Sequence, residues 1–237
     1  MIRVTAFVHH DAARGDDVLA AVRRAGAEQA APTEAAAHRA GQTMAFGVFA
    51  HVDEARSFAG AVQSSVTGLA SHVEVVRYAQ GPVRVRRPEL AGIQRTLLLH
   101  VGEGADAAEV ATFERHLADM GRYVAAIRNS SLSRVDEVRG ATGPPWTHVW
   151  EQEFDTLEDL TGPYMDHAQH FGFVDTWFDP QAPNHIVDTT LVHGMCRLER
   201  SILARASRPP ARDAAPPMER TSGRAVRRRS RPANDPG

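Results

Sequence analysis

Thr147-His148-Val149-Trp150-Glu151-Gln152-Glu153-Phe154, continued by Asp155-Thr156-Leu157-Glu158, is a β-rich run that closes on an aromatic residue and passes into a helix start. Thr156, with Asp159 three residues later, can satisfy the free N–H groups of that first turn. The same order occurs earlier in the chain. Thr43-Met44-Ala45-Phe46-Gly47-Val48-Phe49 leads to Asp53-Glu54, and Ala55, Phe58, Ala59 and Val62 follow at helical spacing. A strand, an aromatic close and an acidic helix start that occur twice predict a duplicated unit.

Working outward, the first copy opens on an alternating strand over residues 3–8, followed by a helix in which Asp16 and Asp17 precede Val18 and Leu19. The Ala-rich residues 27–40 suggest helix or loose connection, and residues 72–78 a third strand. An Arg- and Pro-rich stretch at residues 81–88 marks the boundary. The second copy has a strand at residues 96–101 and a helix from Asp106 to Val124, with Val110, Phe113, Leu117, Met120 and Val124 on one face. Further strands are predicted at residues 126–136 and 186–192. The helix that begins at Thr156 runs towards Pro163, where it must kink or restart. After Arg197 a short helix extends to about Ala206.

This order predicts an α+β fold of two ferredoxin-like β-α-β-α-β units, residues 1–90 and 92–200, fused into one barrel. Each unit has one apolar sheet face, and packing the two faces together hides both. Residues 207–237, rich in Arg, Pro and Ala, read as a disordered basic tail.

An apolar fraction of 43% describes a globular chain, and no run reaches the roughly 20 apolar residues of a membrane span. The chain enters a strand without a signal-peptide pattern, and Cys196 is the only cysteine. An internal disulfide and a cysteine-based zinc cluster are therefore excluded, and a cytoplasmic location is expected. All 27 basic residues are Arg. The lack of Lys excludes Schiff-base catalysis, a pyridoxal-phosphate lysine and a Walker A phosphate loop. Residues 197–237 hold 11 Arg against 4 acids, so an acidic body is joined to a basic tail. Nucleic acid and membrane are nonetheless not expected partners.

The densest chemistry lies in Tyr164-Met165-Asp166-His167-Ala168-Gln169-His170-Phe171-Gly172-Phe173, which places one phenol and two imidazoles within seven residues. Set among Phe171, Phe173, Trp177 and Phe178, these groups suit the wall of a pocket. Half-buried core residues with one hydrogen bond each are the competing reading. His148, His167, His170, His185 and His193 crowd this half. Yet the His-to-His spacing of a helical zinc clamp is i, i+4 with a Glu, and that is absent. Neither metal nor haem is expected.

From Arg95 to about Val192 the sequence resembles the Dabb family of stress-responsive dimeric α/β-barrel proteins. The matching features are the strand at residues 96–101, Trp146-Thr147-His148 running into Phe154, and Tyr164-x-x-His167-x-x-His170-x-Gly172-Phe173. The resemblance implies a half-barrel completed by residues 1–90, as a monomeric pseudo-dimer or a homodimer. In a plant polyketide cyclase of this family a Tyr and the second His form the catalytic pair, which carries over onto Tyr164 and His170. His170 would then act as base and Tyr164 as oxyanion donor, with His167 orienting water or capping the turn. That cyclase carries a His on its first strand where Thr96 stands here. The first copy, with Ala55-Arg56-Ser57-Phe58-Ala59 in the corresponding helix, lacks the motif. The implied activity is a cofactor-independent cyclase or lyase closing a ring in a small apolar or aromatic precursor. A cofactor-free monooxygenase of the same superfamily and a non-catalytic ligand-binding barrel are the alternatives.

Overall fold

The structure is a computed structural model that describes residues 1–141 and 143–207. The expectation of a disordered tail falls, from residue 208 onward, outside the described residues. The first half consists of β1 (Ile2–His9), α1 (Gly15–Arg24), β2 (Gln29–Pro32), β3 (Thr43–Phe49), α2 (Val52–Ser65) and β4 (His72–Ala79). A short β5 (Val83–Val85) leads to the second half: β6 (Gly92–Leu99), α3 (Ala107–Tyr123), β7 (Asn129–Arg139), β8 (His148–Phe154) and β9 (Val192–Leu198). Between β8 and β9 lies an irregular segment over residues 157–177. A short helix, Ile202–Ser207, follows β9.

The strands form one antiparallel sheet in the order β2-β3-β1-β4-β7-β8-β6-β9, with β5 attached to β7. Each half has the ferredoxin-like order, its second strand next to the third, then the first, then the fourth. The halves join where β4 pairs with β7, Val75 opposite Arg139. At the other end single bridges, Thr33 to Cys196 and His38 to His193, bring β9 against the chain following β2. The sheet is thereby nearly closed into a barrel.

Each half contains four strands, as expected for the second half but one more than expected for the first. In the first half β2 was hidden by its composition, since Gln29-Ala30-Ala31-Pro32 has little β preference. It forms because β3 offers it a ladder, and Pro32 is tolerated at the strand's end beside the seam. The last strand is also displaced. The β-branched run at residues 186–192 supplies only a bridge from Val187 to Val101, whereas Val192–Leu198 forms β9. Val192, Gly194, Cys196 and Leu198 alternate towards the buried interior, and that pattern overrides local preference.

Three buried layers result. Val4, Ala6 and Val8 of β1 pack under α1 and α2 with Val22, Phe58 and Val62. Phe7, Met44, Phe46, Tyr78, Leu98, Val149 and Cys196 meet inside the barrel. Ile93, Leu97, Leu99, Trp150 and Phe154 pack against Phe113, Leu117 and Met120 of α3. Each fully buried large apolar side chain contributes about 1.5–3 kcal/mol, so both faces of each half-sheet stabilise the fold. Asp106 starts α3, accepting from Ala108 N at 2.8 Å, while the Glu109 carboxylate accepts from Asp106 N.

The barrel interior is partly polar. Arg3 donates from Nη2 to Glu151 Oε1 at 2.7 Å, and Gln94 donates to the same oxygen and to Thr96 Oγ1. Glu153 accepts from the backbone N–H groups of Ile202 and Leu203 at 2.9 and 3.0 Å, and from Ser201 and Asn129. A carboxylate thus fastens the start of the last helix to the sheet, and its charge suits the positive end of that helix.

Candidate active site

The site is built on the outer face of β6 and β8, under the irregular segment. Arg95 on β6 stands opposite Gln152 on β8 and Met195 on β9. Its neighbours on that face are Ile93 and Leu97, so the sheet's alternation directs a charged side chain into an apolar layer. Over it the chain makes a single helical turn, Leu157–Asp159, and then a wider π-type turn, Leu160–Tyr164, that contains Pro163. Pro163 has no N–H to continue an α-helical ladder, and the widened turn swings Tyr164 inward. A second wide turn, His170–Val174, brings in His170.

Tyr164 is fully buried, and its ring meets Phe154 at 5.4 Å and His170 at 4.6 Å between centroids, both edge to face. Arg95 donates from Nη1 to the Tyr164 hydroxyl at 3.1 Å and to Gln152 Oε1, and from Nε to His193 Nε2 at 2.8 Å. Its guanidinium also lies 5.0 Å from the Trp150 ring centre and 5.1 Å from that of Tyr164. Because Arg95 can only donate, His193 must accept at Nε2 and carry its proton on Nδ1. His170 Nδ1 lies 3.4 Å from Asp175 Oδ2, too poorly aligned for a hydrogen bond, and is left without a protein partner.

Burial sets the electrostatics. It lowers the His170 pKa, with Asp175 opposing and Arg95 reinforcing the shift. His193 is pushed down to about 3 by burial and then by Arg95, His38 and His170. Burial raises the Tyr164 phenol above its ordinary value, while Arg95 pulls it down. At neutral pH the cluster therefore holds one fixed cation, two neutral imidazoles and a protonated phenol. An imidazole kept neutral beside a buried phenol and a cation can take a proton and leave the resulting anion stabilised.

Of the residues singled out in the sequence, Tyr164 and His170 meet at this point. His167 does not join them: its Nδ1 accepts from Gln169 N at 3.1 Å and its backbone oxygen accepts from His170 N. Asp166 is exposed. His148 lies elsewhere in the layer and bonds Glu114 at 3.0 Å, while His185 faces a cavity beside His100. No three His, Cys, Asp or Glu side chains among the described residues are grouped to hold a metal ion. Thr96 is turned into the barrel towards Gln94, so the β6 residue that reaches Tyr164 is Arg95. Sequence reasoning missed Arg95 and Gln152, and weighed His193 only as a metal ligand. A signal was present: Arg95 and Gln152 interrupt the apolar face of two strands at directly paired positions.

Trp150 links this cluster to open space. It lines a cavity of about 200 Å³ with Leu117, Ala118 and Leu132. A neighbouring cavity of about 460 Å³ shares Ala118 and Leu132 and extends to Glu114 and His148. One indole therefore touches both the groove and the buried cation.

Residues 93–190 match the family described as Stress responsive A/B Barrel Domain. The matched stretch runs from β6 to the chain just before β9 and contains Arg95, Gln152, Tyr164 and His170. No curated protein matches the chain. Solved structures share its architecture. An anthrone oxidase-like protein has a TM-score of 0.57 at 10% identity, over 83% of this chain and 90% of the other. A candidate monooxygenase from Fusobacterium nucleatum gives 0.53 at 7% identity, over 84% and 92%. Another from Lactobacillus acidophilus gives 0.51 at 8%, over 84% and 93%. At such identities the likeness is one of fold, and it spans both halves of the barrel. Among the described residues no helix is long and apolar enough to cross a membrane.

Proposed function

We propose that the A/B barrel domain of this chain is a cofactor-independent enzyme that abstracts a proton next to a carbonyl and closes a ring by aldol addition. The observation that supports this most is the contact of a neutral buried imidazole, His170, with a phenol held by a buried guanidinium. His170 takes the proton from the carbon, and its electron pair passes to the carbonyl oxygen as an enolate. The Tyr164 hydroxyl, whose oxygen already accepts from Arg95, donates to that oxygen; one such donor is worth about 2.7–4 kcal/mol in the transition state. The enolate carbon then attacks a second carbonyl of the same molecule. The new alkoxide recovers the proton from His170, and loss of water can follow. The resemblance of Tyr164-x-x-His167-x-x-His170 to the motif of olivetolic acid cyclase supports the same pair. Met165, Phe171 and Phe173 on the segment over residues 157–177 are exposed and would meet a substrate first.

A second reading begins with the same deprotonation and ends differently. The fold shared with an anthrone oxidase-like protein favours it. There the carbanion reduces dioxygen, a methylene becomes a carbonyl and one oxygen atom leaves as water. Incubation with a linear poly-β-ketone and, separately, with anthrone separates the two. Ring closure without oxygen uptake is expected. Stoichiometric oxygen consumption with anthrone and no closure of the linear ketone would replace the first reading by the second.

A further inference from the structure

Among the described residues Arg3 and Arg95 are the most enclosed arginines on the sheet, and they are treated differently. Arg3 is neutralised by Glu151 at 2.7 Å. Arg95 is only 5% exposed, yet among the described residues no carboxylate lies within ion-pair distance; its acceptors are an amide, a phenol and an imidazole. A guanidinium cannot shed its proton, so its burial without a counter-charge is costly unless something supplies one. The same place has unused donors. Gln152 Nε2 is buried and makes no well-formed hydrogen bond, although it lies close enough to the Tyr164 hydroxyl to lower that phenol's pKa. Arg95 Nη2 makes no hydrogen bond to the described residues, while Nε and Nη1 are committed. The nearest acid, Asp175, is half exposed and faces His170.

We propose that Arg95 and Gln152 form a recognition site for a carboxylate, and that the substrate of this domain is an aromatic or β-oxo carboxylic acid. The inference rests on the reading of Tyr164 and His170 as the catalytic pair of the same site. One fixed positive charge balances one carboxylate, whereas a phosphate dianion would leave a net negative charge buried. The rings of Trp150 and Tyr164, 5.0 and 5.1 Å from the guanidinium carbon, give the site aromatic walls that suit a flat, aromatic acid. A carboxylate there fixes the substrate by a group that does not react, and the acidic C–H lies towards His170.

The test uses the full chain and three probes in calorimetric titration: salicylate, methyl salicylate and inorganic phosphate. Salicylate should bind at least tenfold more tightly than its ester and than phosphate, and R95Q should erase that preference. Equal binding of acid and ester, tighter binding of phosphate, an acid preference that survives R95Q, or no binding of salicylate would each overturn the proposal. If R95Q does not fold, the comparison of acid with ester in the wild-type protein decides, with Q152L as the second variant, expected to weaken salicylate several-fold. Deuterium exchange at the acidic C–H of 2-tetralone, a neutral ketone, separates this proposal from the catalytic one. Exchange without any acid preference leaves the catalysis standing and removes the carboxylate site. Salicylate binding through Arg95 without exchange keeps the site and removes the catalysis.

Discussion

Arg95 holds Tyr164 twice, by a hydrogen bond of 3.1 Å to the hydroxyl and by a guanidinium 5.1 Å from the ring centre. The two residues are far apart in sequence, one on β6 and the other on a π-type turn, so the contact ties the irregular segment to the sheet. The phenol is consequently fixed in orientation before any ligand arrives, as a donor of transition-state hydrogen bonds needs to be.

Tyr164→Phe keeps the ring and removes one acceptor of Arg95. Stability should fall by about 1–3 kcal/mol, the usual cost of leaving a buried donor unpaired. Urea unfolding measures this. No loss at all would mean that the hydroxyl contact adds nothing to the seating of the segment.

The buried pair Arg3–Glu151 should behave as a unit. Glu151→Leu alone should cost about 3–5 kcal/mol, because it leaves a buried guanidinium without its charge partner. Adding Arg3→Met should recover most of that loss in the double variant. Additive losses in the two single variants and the double would contradict an ion pair inside the barrel.

Stability should also depend on pH through His193. Its folded pKa of about 3 lies below the ordinary histidine value of 6.5. Between those values the unfolded chain binds the extra proton, so stability rises with pH across this window. It is complete above 6.5 and is lost progressively as the pH falls towards 3. His193→Gln keeps an acceptor for Arg95 without titrating. The difference in unfolding free energy between wild type and this variant should therefore shrink or reverse as pH is lowered from 7 to 4.5. A pH-independent difference would show that His193 is not held neutral by burial.

The parts of the fold that were legible in the sequence are those where alternation and helical spacing agree. β3 and β8 lie where Thr43 and Thr147 begin their runs, and α3 starts at the Asp106 cap. The duplicated layout and the barrel follow from these. β2 and β9 were not legible, because both depend on partners distant in sequence. Ala30 and Ala31 are strand residues only because Ala45 and Met44 lie beside them. Cys196 is strand because β6 and the bridge to Thr33 flank it.

At the site, Tyr164 and His170 could be singled out from their chemistry and spacing. Arg95 interrupts an apolar strand face but was passed over, since an Arg on a strand ordinarily reaches solvent. Only the register that sets it opposite Gln152, with the rings of Trp150 and Tyr164 5.0 and 5.1 Å from its guanidinium, shows it enclosed.

Gly194 tests the closure of the barrel. A Cβ there would stand 2.8 Å from Met44 Cε and from Phe7 Cε1, both side chains of the first half. Gly194→Val should therefore destabilise by about 1–3 kcal/mol through overpacking, read as a fall in melting temperature. An unchanged Tm would mean that β9 does not face the first half this closely.

The most direct measurement of the catalytic reading is deuterium exchange at the acidic C–H of 2-tetralone in buffered D2O, followed by proton NMR. The wild-type chain should accelerate exchange over buffer. His170→Ala should remove roughly a hundredfold or more of that acceleration, as expected for a general base. Tyr164→Phe should lower it by roughly a hundredfold, with little change in affinity, because its donor acts in the transition state. His167→Ala, which alters only the turn, should be much milder. Exchange no faster than in buffer, or acceleration that survives both His170→Ala and Tyr164→Phe, would contradict proton abstraction by this pair.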